Sequence, residues 1–154
     1  QIETPRGIAT IESWDCSKIE FSGIGFGSAD YCASTGGDMG KASLAYGRGK
    51  IINAAALYNT LALDGVWLDF RDPDGCREET LYVKTMGFKG RFAIHPDQIK
   101  PIHDAYRPTT EELKWAKGVL EEAKTAGSGA FKYQGKMVDA PVLAVARLII
   151  SRED

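Results

Sequence analysis

From Ile2 to Tyr106 the chain alternates apolar runs with amphipathic stretches, and this alternation restricts its fold more than any other feature. A strand followed by a helix and another strand builds a parallel sheet, because a crossover long enough to hold a helix brings the chain back to the end it left. The apolar runs are the stub at Ile2, then Ile19 to Phe26, then Gly65-Val66-Trp67-Leu68-Asp69-Phe70, then Gly90 to His95. They predict four strands. Between them, Thr4 and Pro5 start a helix with Ile8, Ile11 and Trp14 on one face, breaking near Cys16-Ser17. Leu44, Ile51, Ile52, Ala55 and Leu57 predict a long amphipathic helix over Gly40 to Tyr58, and the turn Asp72-Pro73-Asp74-Gly75 leads to a helix around Glu79 to Met86.

Such alternation makes a barrel or a doubly wound sheet, and the expected fold class is α/β: the second half of a (β/α)8 TIM-type barrel plus a C-terminal helical and hairpin lid. A closed barrel of this kind takes about 250 residues, and the chain has 154. The strands are then strands 5–8, with the first four βα units expected upstream of Gln1 and two sheet edges left unpaired. The predicted domains are 1–107 for the half barrel and 108–154 for the lid segment. In the lid, Pro108-Thr109-Thr110-Glu111-Glu112 starts a helix whose stripe is Leu113, Ala116, Val119, Leu120 and Ala123. Gly127-Ser128-Gly129 reads as a joint, Phe131 to Val138 as a hairpin turning at Gln134-Gly135, and Asp139-Ala140-Pro141 as the start of the apolar helix Val142 to Ile150.

Charge and composition exclude several classes of partner. The 19 Lys and Arg are scattered among 21 Asp and Glu, so a net charge of −2 offers no basic stripe for nucleic acid or an anionic membrane. No apolar run approaches the roughly 18 residues that would span a bilayer. Cys16, Cys32 and Cys76 are odd in number, widely spaced and without a CxxC pair. That pattern points to a reducing compartment and against a disulfide framework or zinc knuckle.

Two acids stand where an apolar run gives way to a turn and a helix: Glu3 after the stub, and Asp30 in Gly27-Ser28-Ala29-Asp30. In a parallel α/β fold the carboxyl ends of the strands face the ligand, and two acids converging there repel unless a cation lies between them. The pair reads as a divalent-metal site. The competing reading makes each a helix-cap or surface acid. Gly23, Gly25 and Gly27 share one strand face and admit a close approach of backbone or ligand, but they do not complete GxGxxG. The free amides of Ala29 and Asp30 at the helix start suit a substrate carboxylate. Gly36 to Ala42 lacks the spacing and the hydroxyl of a phosphate loop, and Asp72 to Gly75 lacks the ligand positions of a calcium loop. His95, before Pro96, either lines the cleft or fixes the strand end by hydrogen bonding; His103 reads as a surface residue. Asp69 and Asp72 read as structural or supporting acids, with Arg71 paired to one of them.

The runs Ile2-Glu3-Thr4-Pro5-Arg6-Gly7, Gly27-Ser28-Ala29-Asp30-Tyr31, Leu68-Asp69-Phe70-Arg71-Asp72, Gly87-Phe88-Lys89-Gly90, Ile94-His95-Pro96-Asp97-Gln98-Ile99 and Phe131 to Pro141 occur in that order. Together they resemble the C-terminal half of the citrate lyase β-subunit-like family, which includes malyl-CoA and citramalyl-CoA lyases. The resemblance covers essentially the whole chain. It implies a β/α barrel in which Glu3 and Asp30 match the two Mg2+ ligands, and a lid acid, Asp139, that enters the neighbouring subunit's site in a homotrimer. Asp139 would protonate the carbon released as the bond is cut; by its position alone it is a helix N-cap. The family's substrate-binding Arg lies in the upstream half.

The implied partners are a CoA thioester and a 2-oxo acid, with Gly27, Ala29, Asp30, His95 and Pro96 as substrate or CoA contacts. The implied reaction is cleavage of a short β-hydroxyacyl-CoA to acetyl-CoA and a 2-oxo acid, with a thioesterase or malate synthase side activity in relatives. Two alternatives stand beside it: a citrate lyase β-subunit acting on a carrier-protein thioester, and a non-catalytic half-barrel interaction fragment. The expected compartment is the cytoplasm, or the mitochondrial matrix in a eukaryote.

Overall fold

The structure is a computed structural model that describes residues 1–16, 19, 21–127 and 129–153. It forms two compact units, Gln1–Tyr106 and Arg107–Asp154. In the first, α1 (Pro5–Thr10) is followed by a 3-10 turn (Ile11–Ser13), β1 (Ile24–Gly25), α2 (Ser28–Thr35), α3 (Lys41–Leu57), β2 (Ala62–Asp64), α4 (Pro73–Met86), β3 (Gly90–Arg91), a second 3-10 turn (Pro96–Gln98) and α5 (Ile99–Tyr106). The sheet runs β1-β2-β3, all parallel, and Ile2 extends it as an isolated parallel bridge to Phe26. Ile24, Phe26 and Ala62 from the sheet meet Ile8, Ile11, Leu44, Ile51, Ala54, Ala55 and Val83 from the helices. Burying such side chains stabilises by about 1.5–3 kcal/mol each for the larger ones, which is what holds helices on a sheet this short.

Of the predicted strands, one is displaced and two are shortened. The stretch Gly65 to Phe70 is a loop, and the strand is the preceding Ala62–Asp64. The reason lies at Asp64, whose register against Arg91 makes it a buried acid between two guanidinium groups. Arg91 Nε also donates to the carbonyl of Gly65 at 2.9 Å, and the chain then leaves the sheet. Val66, Trp67 and Leu68 instead line a cavity of about 280 Å3 with Met39, Leu44 and Arg48. The strand predicted over Ile19 to Phe26 narrows to Ile24–Gly25; its Glu20 lies outside the described residues, as do Ser17 at the predicted helix break and Ser128 in the predicted joint. Likewise the strand predicted over Gly90 to His95 is Gly90–Arg91, and His95 opens the following 3-10 turn.

Other departures are smaller. Trp14 and Leu57, expected on buried helix faces, are 40% and 60% exposed. Asp72-Pro73-Asp74-Gly75 is the first turn of α4, with Asp72 as N-cap accepting from Gly75 N–H at 2.9 Å. His103 is exposed, as its position suggests.

The second unit is α6 (Thr110–Ala126), the antiparallel hairpin β4 (Phe131–Tyr133) and β5 (Lys136–Val138), and α7 (Ala140–Ile150). Thr109 and Glu112 form a reciprocal capping box at the start of α6. Gln134 and Gly135 both take positive φ, 47° and 79°, as the two-residue turn that matches strand twist requires. Ala116, Val119, Val138 and Ala146 make a core of its own. No helix among the described residues is long and apolar enough to cross a membrane.

Candidate active site

The ends of the parallel strands carry the polar groups of interest. Ile2 N–H donates to Gly25 O and Gly27 N–H to Ile2 O, both at 2.7 Å, so Glu3 leaves its strand directly beside Gly27. Gly27 in turn caps α2, and Asp30 falls in that helix's first turn. A Cβ on Gly27 would lie 2.4 Å from Glu3 Cβ and 3.0 Å from Glu3 Oε2, so the missing side chain is the cradle in which Glu3 rests. Gln1 Nε2 donates to Glu3 Oε2 at 3.2 Å. Both Glu3 and Asp30 are exposed, and no ion pair among the described residues engages either. No cluster of three or more His, Cys, Asp or Glu gathers among the described residues. Two open carboxylates on neighbouring strand ends are the protein share typical of a magnesium site, where water and substrate complete the octahedron.

The glycines of this strand admit side chains. Gly25 faces the Phe92 ring, 2.4 Å from where its Cβ would be, and Gly27 faces Glu3 and Gln1. Among the described residues no side chain caps α2, so its first amides, those of Ala29 and Asp30 among them, are open to an acceptor outside the helix.

Below this rim a buried network fixes the loops. Arg48 Nε and Nη2 donate to Asp64 Oδ1 and Oδ2, both at 3.1 Å, and Arg91 Nη2 donates to Asp64 Oδ2 at 2.6 Å. Glu79 on α4 closes it at 2.8 Å from Arg48 Nη2. Burial opposes the charge on Arg48, but Asp64 and Glu79 outweigh it and hold the guanidinium above its usual pKa. Gln98, 1% exposed, accepts from Ile94 N–H at 2.9 Å and donates to Trp67 O at 2.7 Å, tying the loop after β2 to the loop after β3.

His95 has a structural role in the free protein: its Nδ1 accepts from Asp97 N–H at 3.3 Å, capping the 3-10 turn that Pro96 begins. Asp97 Oδ2 lies 3.5 Å from the same nitrogen. Phe70 stacks on the imidazole at 4.7 Å, and Arg71 lies 5.2 Å from the Phe70 ring. Arg71 therefore pairs through its guanidinium with Phe70, and neither Asp69 nor Asp72 takes it; Asp69 accepts Arg71 N–H instead, and Asp72 caps α4. In the second unit Asp139 caps α7, Oδ1 accepting from Val142 N–H at 3.3 Å, while Oδ2 takes no hydrogen bond among the described residues.

Residues 1–96 match the family model described as HpcH/HpaI aldolase/citrate lyase, and residues 49–153 match that described as a C–C bond lyase of the TIM-barrel fold. The chain belongs to the HpcH/HpaI aldolase/citrate lyase family. A citrate lyase subunit beta-like protein of Mycobacterium tuberculosis is 39% identical over 98% of this chain and 57% of its own length. Mitochondrial citramalyl-CoA lyase of Rattus norvegicus is 37% identical over 82% of this chain and 39% of its own. The crystal structure of CitE from M. tuberculosis in complex with magnesium, acetoacetate and coenzyme A superimposes with a TM-score of 0.82 at 34% identity, over 99% of this chain and 59% of that one. The chain thus spans between 39% and 57% of the length of these two curated relatives.

Within this aldolase/citrate lyase family chain, sequence reasoning passed over Phe70, Gln98 and Gln1. In the sequence Phe70 reads as part of a buried strand; the strand lies instead at Ala62–Asp64, which leaves Phe70 in a loop and 38% exposed. Gln1, two residues before Glu3, shares its strand face, so the spacing carried a signal for that contact.

Proposed function

We propose that this chain is the strand 5–8 half barrel, residues 1–107, and the lid, residues 108–154, of a magnesium-dependent carbon–carbon lyase. Its substrate is a short β-hydroxyacyl-CoA of the malyl-CoA or citramalyl-CoA type, and its products are acetyl-CoA and a 2-oxo acid. The observation that carries this reading is the pair of unpaired, exposed carboxylates, Glu3 and Asp30, at adjacent parallel strand ends with Glu3 bedded on Gly27. The names of the relatives and the ligands of the M. tuberculosis structure support it.

Glu3 and Asp30 would hold Mg2+, with Gln1 fixing one oxygen of Glu3. When bound, the ion supplies a Lewis acid that polarises the carbonyl of the 2-oxo acid and stabilises negative charge on its oxygen. The amides of Ala29 and Asp30, beside Gly27, bind the substrate carboxylate at the uncapped start of α2. His95 and Pro96 lie on the CoA side. Asp139 delivers the proton to the carbon freed by cleavage, or removes it in the condensing direction, with Oδ1 anchored by Val142 N–H and Oδ2 left to act. In a homotrimer with exchanged lids, Asp139 would serve the neighbouring subunit, and closure would keep water from the carbanion. The compartment proposed is the cytoplasm, or the mitochondrial matrix in a eukaryote.

The test is release of glyoxylate from malyl-CoA or pyruvate from citramalyl-CoA, trapped as the phenylhydrazone, in the intact polypeptide. Chelation should abolish it and Mg2+ restore it, and Glu3→Gln or Asp139→Ala should lower kcat by roughly a hundredfold or more. Turnover that survives chelation, or both substitutions, would overturn the reading.

A further inference from the structure

After β2 and β3 the protein displays an aromatic stack in which His95, placed above on the CoA side, meets Phe70, a ring the proposed chemistry does not use. Phe70 and His95 lie with centroids 4.7 Å apart and planes 26° from parallel. Neither ring is buried: Phe70 is 38% exposed and the His95 side chain 39%. Leu68 and Ile94, near them in sequence, are each 54% exposed, and Asp97 Oδ2 lies 3.5 Å from His95 Nδ1. Arg71 stands over Phe70, and no carboxylate among the described residues pairs with its guanidinium. The two rings come from different loops, and the buried Gln98 amide joins those loops through Trp67 O and Ile94 N–H. The stack is thus held before any ligand arrives, and binding would lose little freedom.

The half-exposed stack, with a guanidinium beside it that no carboxylate among the described residues engages, suits a flat heterocycle attached to phosphate. Base–aromatic stacking needs only a π-face, and the cation meets the phosphate charge. Resting on the lyase reading, we propose that the Phe70–His95 stack seats the adenine of coenzyme A, with Arg71 toward its phosphates. This chain then takes its acyl group from CoA rather than from a carrier protein, because a carrier-protein thioester offers the pantetheine arm without a base. The two thioester readings therefore differ at a surface that can be measured.

The experiment compares kcat/KM for malyl-CoA with that for malyl-pantetheine, in wild type, Phe70→Ala and Phe70→Trp, together with the CoA affinity of each by calorimetry. Phe70→Ala should raise the CoA dissociation constant and the malyl-CoA KM by roughly five- to a hundredfold, the range expected for one lost base stack. The malyl-pantetheine value should stay within about twofold, and Phe70→Trp should keep wild-type preference, since a larger ring preserves the face. Unchanged CoA affinity in Phe70→Ala overturns the platform, as does an equal loss for both thioesters, which would make Phe70 a support of the pantetheine arm or of a protein contact. Wild-type protein that binds no CoA overturns the thioester-lyase reading itself, a result separable from the other two.

Discussion

Gly27 is the residue on which the proposed metal site turns. Its backbone is unstrained, with φ at −82°, so its requirement is spatial. Glu3 occupies the volume a Cβ would take, and Gln1 Nε2 lies 2.9 Å from that position. Gly27→Ala should therefore push Glu3 off its seat and weaken divalent-ion binding by roughly 10- to 100-fold, as loss of support around a metal ligand does. Mn2+ binding followed by electron paramagnetic resonance would check this without recourse to turnover. Unchanged Mn2+ affinity would show that Glu3 does not need its cradle. The need for glycine was legible as a pattern of small residues on one strand face. What fills the space was not, because Glu3 reaches Gly27 only after the two strands pair.

Among the described residues, α1, α4 and α7 begin by one device, an oxygen-bearing cap with proline at the first or second helical position. Thr4, Asp72 and Asp139 accept from the amides of Gly7, Gly75 and Val142. In each case the acceptor and the proline act together: one satisfies a free amide and the other presets the backbone. At α7 this creates a test of what Asp139 is for. Asn caps as well as Asp, so Asp139→Asn should leave thermal stability within about 0.5 kcal/mol, whereas Asp139→Ala should cost about 1 kcal/mol. If Asp139 transfers a proton, both variants lose activity alike; if it only caps, Asp139→Asn keeps it. Thermal melts alongside the lyase assay read the two effects separately. The caps Thr4 and Asp139, the start of α6 at Thr109 and the turn at Gln134-Gly135 were readable locally, since each depends on residues within four positions of one another, whereas Asp72 reads as a turn and proves to be a cap.

Across the molecule, the first unit is organised around a charge cluster that no local pattern announces. Asp64 is fully buried between Arg48 and Arg91, and Glu79 completes the set from α4. Asp64→Ala would leave two guanidinium groups buried without their shared acceptor and should cost about 3–5 kcal/mol, measured by urea denaturation. A loss below about 1 kcal/mol would mean that Glu79 and water replace the carboxylate. This cluster also explains where the strand reading went astray. Trp67 to Phe70 is the more apolar run, but β2 is the segment whose acid finds both arginines.

The order of strands and helices, their caps, the hairpin and the pair of acids at strand ends were written in the chain, because each follows from side-chain period or from neighbours a few residues apart. Strand register, the burial of Arg48 with Asp64, and the meeting of Phe70 with His95 belong to the tertiary structure alone. Each joins residues distant in sequence, and which partners they find depends on the free energy of burying charge and apolar surface together, a quantity that exists only once the sheet has closed against its helices.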